Sequence, residues 1–198
     1  MSEPRDNNST LQPERHGPLP KPVVMIGLMG AGKTTVGRKL AQILGVDFVD
    51  ADQEIEAAAG ITISEIFARH GETAFREGER RVMLRLLDGP PRVIATGGGA
   101  FMNAEVRAHI RAHGIAIWLR APIDLLLARV QKRRNRPLLE QGDKRAILEK
   151  LIAERYPVYA EADIVIDATP EPVVTTATRA AEALARLLAA APAGEARP

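Results

Sequence analysis

Gly27-Leu28-Met29-Gly30-Ala31-Gly32-Lys33-Thr34 lies between two segments of different periodicity, and its reading decides the fold. Ahead of it, Val23–Gly27 (VVMIG) is a continuous apolar run, the pattern of a strand buried on both faces. Behind it, Lys33–Leu44 sets Val36, Leu40, Ile43 and Leu44 on one helical face, with Gly45 as its stop. The loop fits GxxxxGK[ST], and strand, loop and helix together make a phosphate cradle. Triphosphate oxygens need backbone N–H groups at close range, which calls for residues without a bulky Cβ. The positive end of the helix points at the same oxygens. Gly30, Ala31 and Gly32 then supply the backbone, Lys33 a mobile charge for the β and γ phosphates, and Thr34 a hydroxyl for Mg2+; Thr35 faces the same side. The motif states that a nucleoside triphosphate binds, not what receives its phosphate.

The rest of the chain repeats the alternation. Strand patterns are expected at Val46–Asp50, Arg92–Thr96, Ile115–Leu119 and Asp163–Asp167. Helices are expected at Asp52–Ala59, from the capping box Thr62-Ile63-Ser64-Glu65 onward, at Glu72–Asp88, Asn103–His113, from Pro122, over Asp143–Ala162 with a break near Pro157, and over about 171–190. Strands alternating with helices predict an α/β domain with a parallel sheet covered on both faces, and ligands at the carboxyl ends of its strands. Residues 1–21 are polar and Pro-rich and read as a disordered arm, 22–190 as one domain, and 191–198 as a flexible tail.

Composition narrows the chemistry. Among 198 residues, 27 Lys and Arg against 25 Asp and Glu leave a net charge of +2, which argues against a protein built around a polyanion surface. There is no cysteine, so disulfides, zinc–thiolate sites and a cysteine nucleophile are excluded. His109 and His113 stand at i, i+4, a spacing that suits a metal, but exposed helix histidines are the commoner outcome. No stretch approaches the roughly 20 apolar residues of a membrane span. The first residues also lack the apolar core of a secretory signal, and the chain reads as cytoplasmic.

The unusual residues cluster just after strands. Asp50 and Asp52 flank Ala51. Two carboxylates beside a metal–triphosphate site serve the metal's water shell and an acceptor hydroxyl, or Asp52 merely caps the helix that follows. The third strand runs into Gly97-Gly98-Gly99 with no acid, so Mg2+ would rest on Thr34, phosphate oxygens and water, with Asp50 acting through water. The triple glycine permits close approach to a ligand, or is a flexible turn. Arg76 and Glu79 stand at i, i+3 and form either a surface ion pair or a braced carboxylate grip. Arg129–Arg136 carries five cations in eight positions: a solvated face, a nucleic-acid patch without stacking aromatics, or a loop closing over ATP. Arg155 precedes Pro157, which would bend the chain and aim the guanidinium at the cleft; an exposed helix-end Arg is the bland alternative.

Taken together, GLMGAGKTTVGRKLA (27–41), FVDAD (48–52), EIFARHGETAFREGE (65–79), IATGGG (94–99), RPLL (136–139) and ERYPVYAE (154–161) resemble shikimate kinases. The resemblance covers about 23–167, and it rests on the ordered set, since the phosphate loop alone is widely shared. It implies a P-loop kinase of the nucleoside monophosphate kinase type, with a five-stranded parallel sheet in the order 2-3-1-4-5 and a mobile lid. It implies transfer from ATP, with Mg2+, to the 3-hydroxyl of shikimate, giving shikimate 3-phosphate on the route to chorismate and the aromatic amino acids. By the same resemblance Asp52 contacts the acceptor hydroxyls, and Asp50 lies near the metal's waters. Arg76, supported by Glu79, and Arg155 grip the carboxylate, and Gly98 offers a backbone N–H. Arg136 belongs to the lid and joins Lys33 and Asp52 in catalysis. Arg129 stacks on adenine, with Pro170 on its other face. A monomer acting on shikimate and ATP is expected, with neither nucleic acid nor membrane as partner. A gluconate kinase would share the phosphate loop but not FRxxE, the triple glycine and RPLL together. A nucleic-acid-binding ATPase would show steep salt dependence.

Overall fold

The computed structural model describes residues 19–131 and 143–190. The five apolar runs become strands β1 (Val23–Ile26), β2 (Phe48–Asp50), β3 (Val93–Ala95), β4 (Ile115–Arg120) and β5 (Ile164–Asp167). They form one sheet in the order β2-β3-β1-β4-β5, with every pairing parallel. β1 sits in the middle, Val24 lying between Ile94 and Ala116, and all four of its residues are buried. Edge strand β5 instead alternates buried and exposed residues, which is why its sequence mixes Ile with Asp and Val.

The helices lie around this sheet: α1 (Lys33–Leu44), α2 (Ala51–Ala59), α3 (Ile63–Leu87), α4 (Ala104–His113), α5 (Ile123–Gln131), α6 (Lys144–Tyr159) and α7 (Val173–Ala190). Their ends follow the sequence signals. α1 opens at Gly32, whose φ of 104° suits glycine alone, and closes on Gly45. Thr62 and Glu65 form the reciprocal capping box of α3, and Asn103 caps α4. α3 kinks at Gly71, so the two helices expected on either side of that residue run on as one bent element. The chain joins the core ahead of β1, where Leu19 is buried and Lys21 Nζ donates to Ala112 O at 2.9 Å.

One expectation is overturned. α6 runs unbroken through Pro157 to Tyr159. The proline falls in the last turn, where only one backbone bond is forfeited. The turn is held by side chains: Tyr156 Oη donates to Ala121 O at 2.6 Å, and its ring packs edge-on to Trp118 at 4.9 Å.

Because the sheet is wholly parallel, the loops after β1, β2, β3 and β5 emerge at one edge. They carry the phosphate loop, the Asp50/Asp52 pair, the triple glycine and the segment leading from Ala168 into α7.

Candidate active site

The nucleotide half is built mainly from backbone. A cavity of about 350 Å3 is lined by Gly30, Ala31, Gly32, Lys33, Thr34 and Thr35 on one side and by Arg129, Ala168, Glu171 and Thr176 on the other. Lys33 is largely buried, its ammonium donating to Gly27 O at 2.8 Å and Leu28 O at 3.1 Å. Arg129, on α5, donates through Nη1 to Gly30 O at 3.2 Å and Ala31 O at 3.0 Å, which fixes its guanidinium over the loop. Pro170 is exposed and is not among the lining residues; its neighbours Ala168 and Glu171 form that wall instead. Glu171 accepts from Thr176 Oγ1 at 2.9 Å and from Arg179 Nη2 at 2.5 Å, so the wall is rigid and its carboxyl is held below the usual range, mainly by the Thr176 hydroxyl. Arg136 lies outside the described residues, as do 132–135 of the basic segment and the rest of RPLL.

The two aspartates divide their work. Asp50, not Asp52, caps α2: its Oδ1 accepts from the Asp52 N–H at 3.1 Å. Its Oδ2 accepts from Thr34 Oγ1 at 2.9 Å, joining the phosphate loop to β2. A hydroxyl and a carboxylate this close at the mouth of the phosphate cradle are hard oxygen donors, and they fit a magnesium ion that keeps several waters. Asp52 lies in the first turn of α2 rather than on the strand, and it faces a different neighbour.

That neighbour is the triple glycine, the seat of the acceptor half. A Cβ on Gly97 would lie 2.8 Å from both Asp52 Oδ1 and Glu79 Oε1. On Gly98 it would lie 3.3 Å from Arg155 Nη1, and on Gly99 only 2.3 Å from Arg76 Nη1. Two carboxylates and two guanidinium groups, from α2, α3 and α6, therefore converge on three residues that present no side chain. The Gly98 position is also 3.6 Å from Gly27 O and 3.7 Å from Met29 N, so this seat abuts the phosphate loop. A second cavity, about 380 Å3, is lined by Glu72, Arg76, Glu79, Gly99, Asn103 and Arg155 among others.

The charges are braced. Arg76 Nη1 donates to Glu79 Oε2 at 2.8 Å, and Glu79 is 3% exposed. Burial pushes the Glu79 carboxyl up, against the pull of the Arg76 and Arg155 guanidinium groups. Arg155 reaches the seat from the unbroken α6, donating through Nη1 to Gly98 O at 2.8 Å. Tyr159, one helical turn on, donates its hydroxyl to the same carbonyl. Tyr159 was not legible as a site residue: only its place in the PVY string, four residues after Arg155 on one helical face, hints at it. His109 meets Asp88 at 2.7 Å and stacks on His113, and no metal-binding group of three or more side chains occurs among the described residues.

Arg76, Arg155 and Asp52, 103 positions apart at the extremes of the sequence, thus face one seat beside the nucleotide cavity. The family model described as shikimate kinase matches residues 29–186. A shikimate kinase of Paramagnetospirillum magneticum is 54% identical over 179 residues, covering 90% of this chain and 92% of the relative. The solved shikimate kinase of Acinetobacter baumannii in complex with shikimate superposes with a TM-score of 0.80 at 38% identity, over 85% of this chain and 93% of that one. A gluconokinase of Sinorhizobium meliloti shares the fold, with a TM-score of 0.57 at 17% identity over 86% of this chain and 94% of that one. The chain belongs to the shikimate kinase family.

Proposed function

We propose that this site carries out ATP-dependent phosphorylation of shikimate at its 3-hydroxyl, with the residues acting as follows. Gly30, Ala31, Gly32, Lys33, Thr34 and Thr35 hold the triphosphate, and Arg129 covers the base. Arg76 and Arg155 meet the acceptor's carboxylate, and Asp52 and the Gly98 backbone meet its hydroxyls. The observation that carries this reading is the convergence of Asp52, Glu79, Arg155 and Arg76 on Gly97–Gly99 against the phosphate loop. A small acid bearing hydroxyls needs one positive end and one accepting end against a single seat, and Gly97–Gly99 have Arg76 and Arg155 at one end and Asp52 at the other.

Phosphoryl transfer needs position and charge neutralisation more than covalent help. Asp52 orients the acceptor hydroxyl toward the loop and takes its proton as the new oxygen–phosphorus bond forms and the bond from the γ-phosphorus to the bridging oxygen breaks, releasing ADP. With a loose transition state, that basicity contributes modestly. Lys33 moves from the loop carbonyls to the phosphate oxygens, and Arg136, by the family resemblance, adds a second cation. Mg2+, held by Thr34 with Asp50 acting through water, would neutralise phosphate charge. Glu79, buried and bonded to Arg76, fixes the grip before the acceptor arrives.

No described helix is long and apolar enough to cross a membrane. The net charge of +2 supports small molecules over nucleic acid as partners, and the same reading makes the protein a cytoplasmic monomer. A coupled ADP-release assay of ATP with shikimate, gluconate and CMP tests the proposal. Turnover with shikimate alone is expected, and turnover with gluconate or CMP instead overturns it.

A further inference from the structure

We propose that Glu72 is an internal competitor at the acceptor site: a carboxylate that occupies one edge of Arg76 until an incoming acid displaces it and so sets the affinity of the grip. The inference rests on the assignment of Arg76 to the acceptor's carboxylate. Arg76 Nε and Nη2 donate to the same oxygen, Glu72 Oε1, at 3.2 and 3.0 Å. Nη1 donates to Glu79 Oε2 at 2.8 Å. A guanidinium offers a carboxylate two forked edges, Nε/Nη2 and Nη1/Nη2. Glu72 occupies the first, and Glu79 engages a donor of the second, so an incoming carboxylate meets a fork that already holds carboxylates.

The two glutamates are not equally replaceable. The Glu79 side chain is 4% exposed, and its removal from Arg76 would strand a buried carboxyl. The Glu72 side chain is 59% exposed and lines the same cavity, so on release it is hydrated at once. It directly follows Gly71, where α3 kinks at φ 78° and ψ 175°, so it stands at the start of a helical segment with solvent on its open side. An exposed ion pair of this kind shifts an equilibrium by a factor of about two to five.

Displacement by that margin is easy for a ligand that also meets Arg155, Gly98 and Asp52. A bare anion has Arg76 as its main partner and must compete with a carboxylate already in place. Glu72 therefore weakens every carboxylate that needs this edge by the same factor; the acid that also meets Arg155, Gly98 and Asp52 stays bound, and a bare anion, weak to begin with, does not.

The test is calorimetric titration of shikimate into wild type, Glu72→Gln, Glu72→Asp and Arg76→Met, with acetate as a competitive inhibitor in the coupled assay. Glu72→Gln keeps the size and loses the charge. It is expected to bind shikimate about two- to fivefold more tightly and to be inhibited by acetate at a concentration lower by the same factor. Glu72→Asp, with a shorter reach, is expected to lie between, and it carries the same prediction should Glu72→Gln fail to fold. Equal or weaker shikimate binding by a folded Glu72→Gln, or unchanged acetate inhibition, overturns the inference. Wild-type shikimate affinity in Arg76→Met is a separate result: it removes the carboxylate grip itself, and this inference with it.

Discussion

The two halves of the site are built on opposite plans. In the nucleotide half, six consecutive residues at one strand–helix junction do most of the work, largely through backbone. In the acceptor half, backbone only supplies room. The chemistry arrives as long side chains from three helices, and those chains meet over three glycines. A contiguous cradle keeps its shape wherever its local fold forms. A convergent seat needs every contributing helix in place, so it is sensitive to changes far from the substrate.

That contrast can be broken most decisively at Asp52. Asp52→Asn is expected to fold and bind ATP normally while turnover falls about 10^2- to 10^4-fold. Near-normal kcat in steady-state assays would deny it any role at the hydroxyl. Gly99→Ala comes next. Its methyl would fall 2.3 Å from Arg76 Nη1, so the guanidinium must move. The KM for shikimate is expected to rise about tenfold or more, the worth of a charged hydrogen bond, with the KM for ATP unchanged. Arg129→Ala should give the mirror result, a KM for ATP raised about three- to tenfold with the KM for shikimate untouched. A crossed effect in either variant would mean that the halves are coupled.

The smallest effect is expected at Tyr159. Tyr159→Phe removes one buried hydrogen bond to Gly98 O, worth about 1 kcal/mol in denaturant unfolding. Burial pushes the Tyr159 phenol up to about 12 from its ordinary value near 10. The folded pKa is the higher one, so the neutral hydroxyl's contribution is complete below pH 10 and is lost as pH rises through about 12. Wild type and Tyr159→Phe should therefore converge in stability across that window, and parallel curves would show that the hydroxyl does not matter.

Legibility in the sequence follows the same division. The phosphate loop and α1 could be read from local spacing, with α1's bounds as they stand in the structure, because the motif's chemistry is contiguous. The Arg76–Glu79 pair was visible as i, i+3, but its near-complete burial was not, since burial depends on α2 and the loop after β3. Arg155 is legible through the ERYPVYAE resemblance, but the way it reaches the seat is not. Proline chemistry suggested a bend near Pro157, whereas an intact helix delivers Arg155 and Tyr159 to one carbonyl. Between capping α2 and meeting an acceptor, the sequence leaves Asp52 open, because an i, i+2 pair does not show where the strand stops and the helix begins; the cap falls to Asp50. Pro170 was placed by likeness alone, and tertiary packing gives its wall to Ala168 and Glu171.

The chain contains one tryptophan, and it sits where α6 bears on the sheet, 4.9 Å from the Tyr156 ring and 5.9 Å from that of Tyr159. Tyr159 in turn is tied to the glycine seat. The molecule thus carries its own optical reporter: any shift of α6 as an acceptor settles changes the surroundings of Trp118, and its emission can follow acceptor binding without an added label.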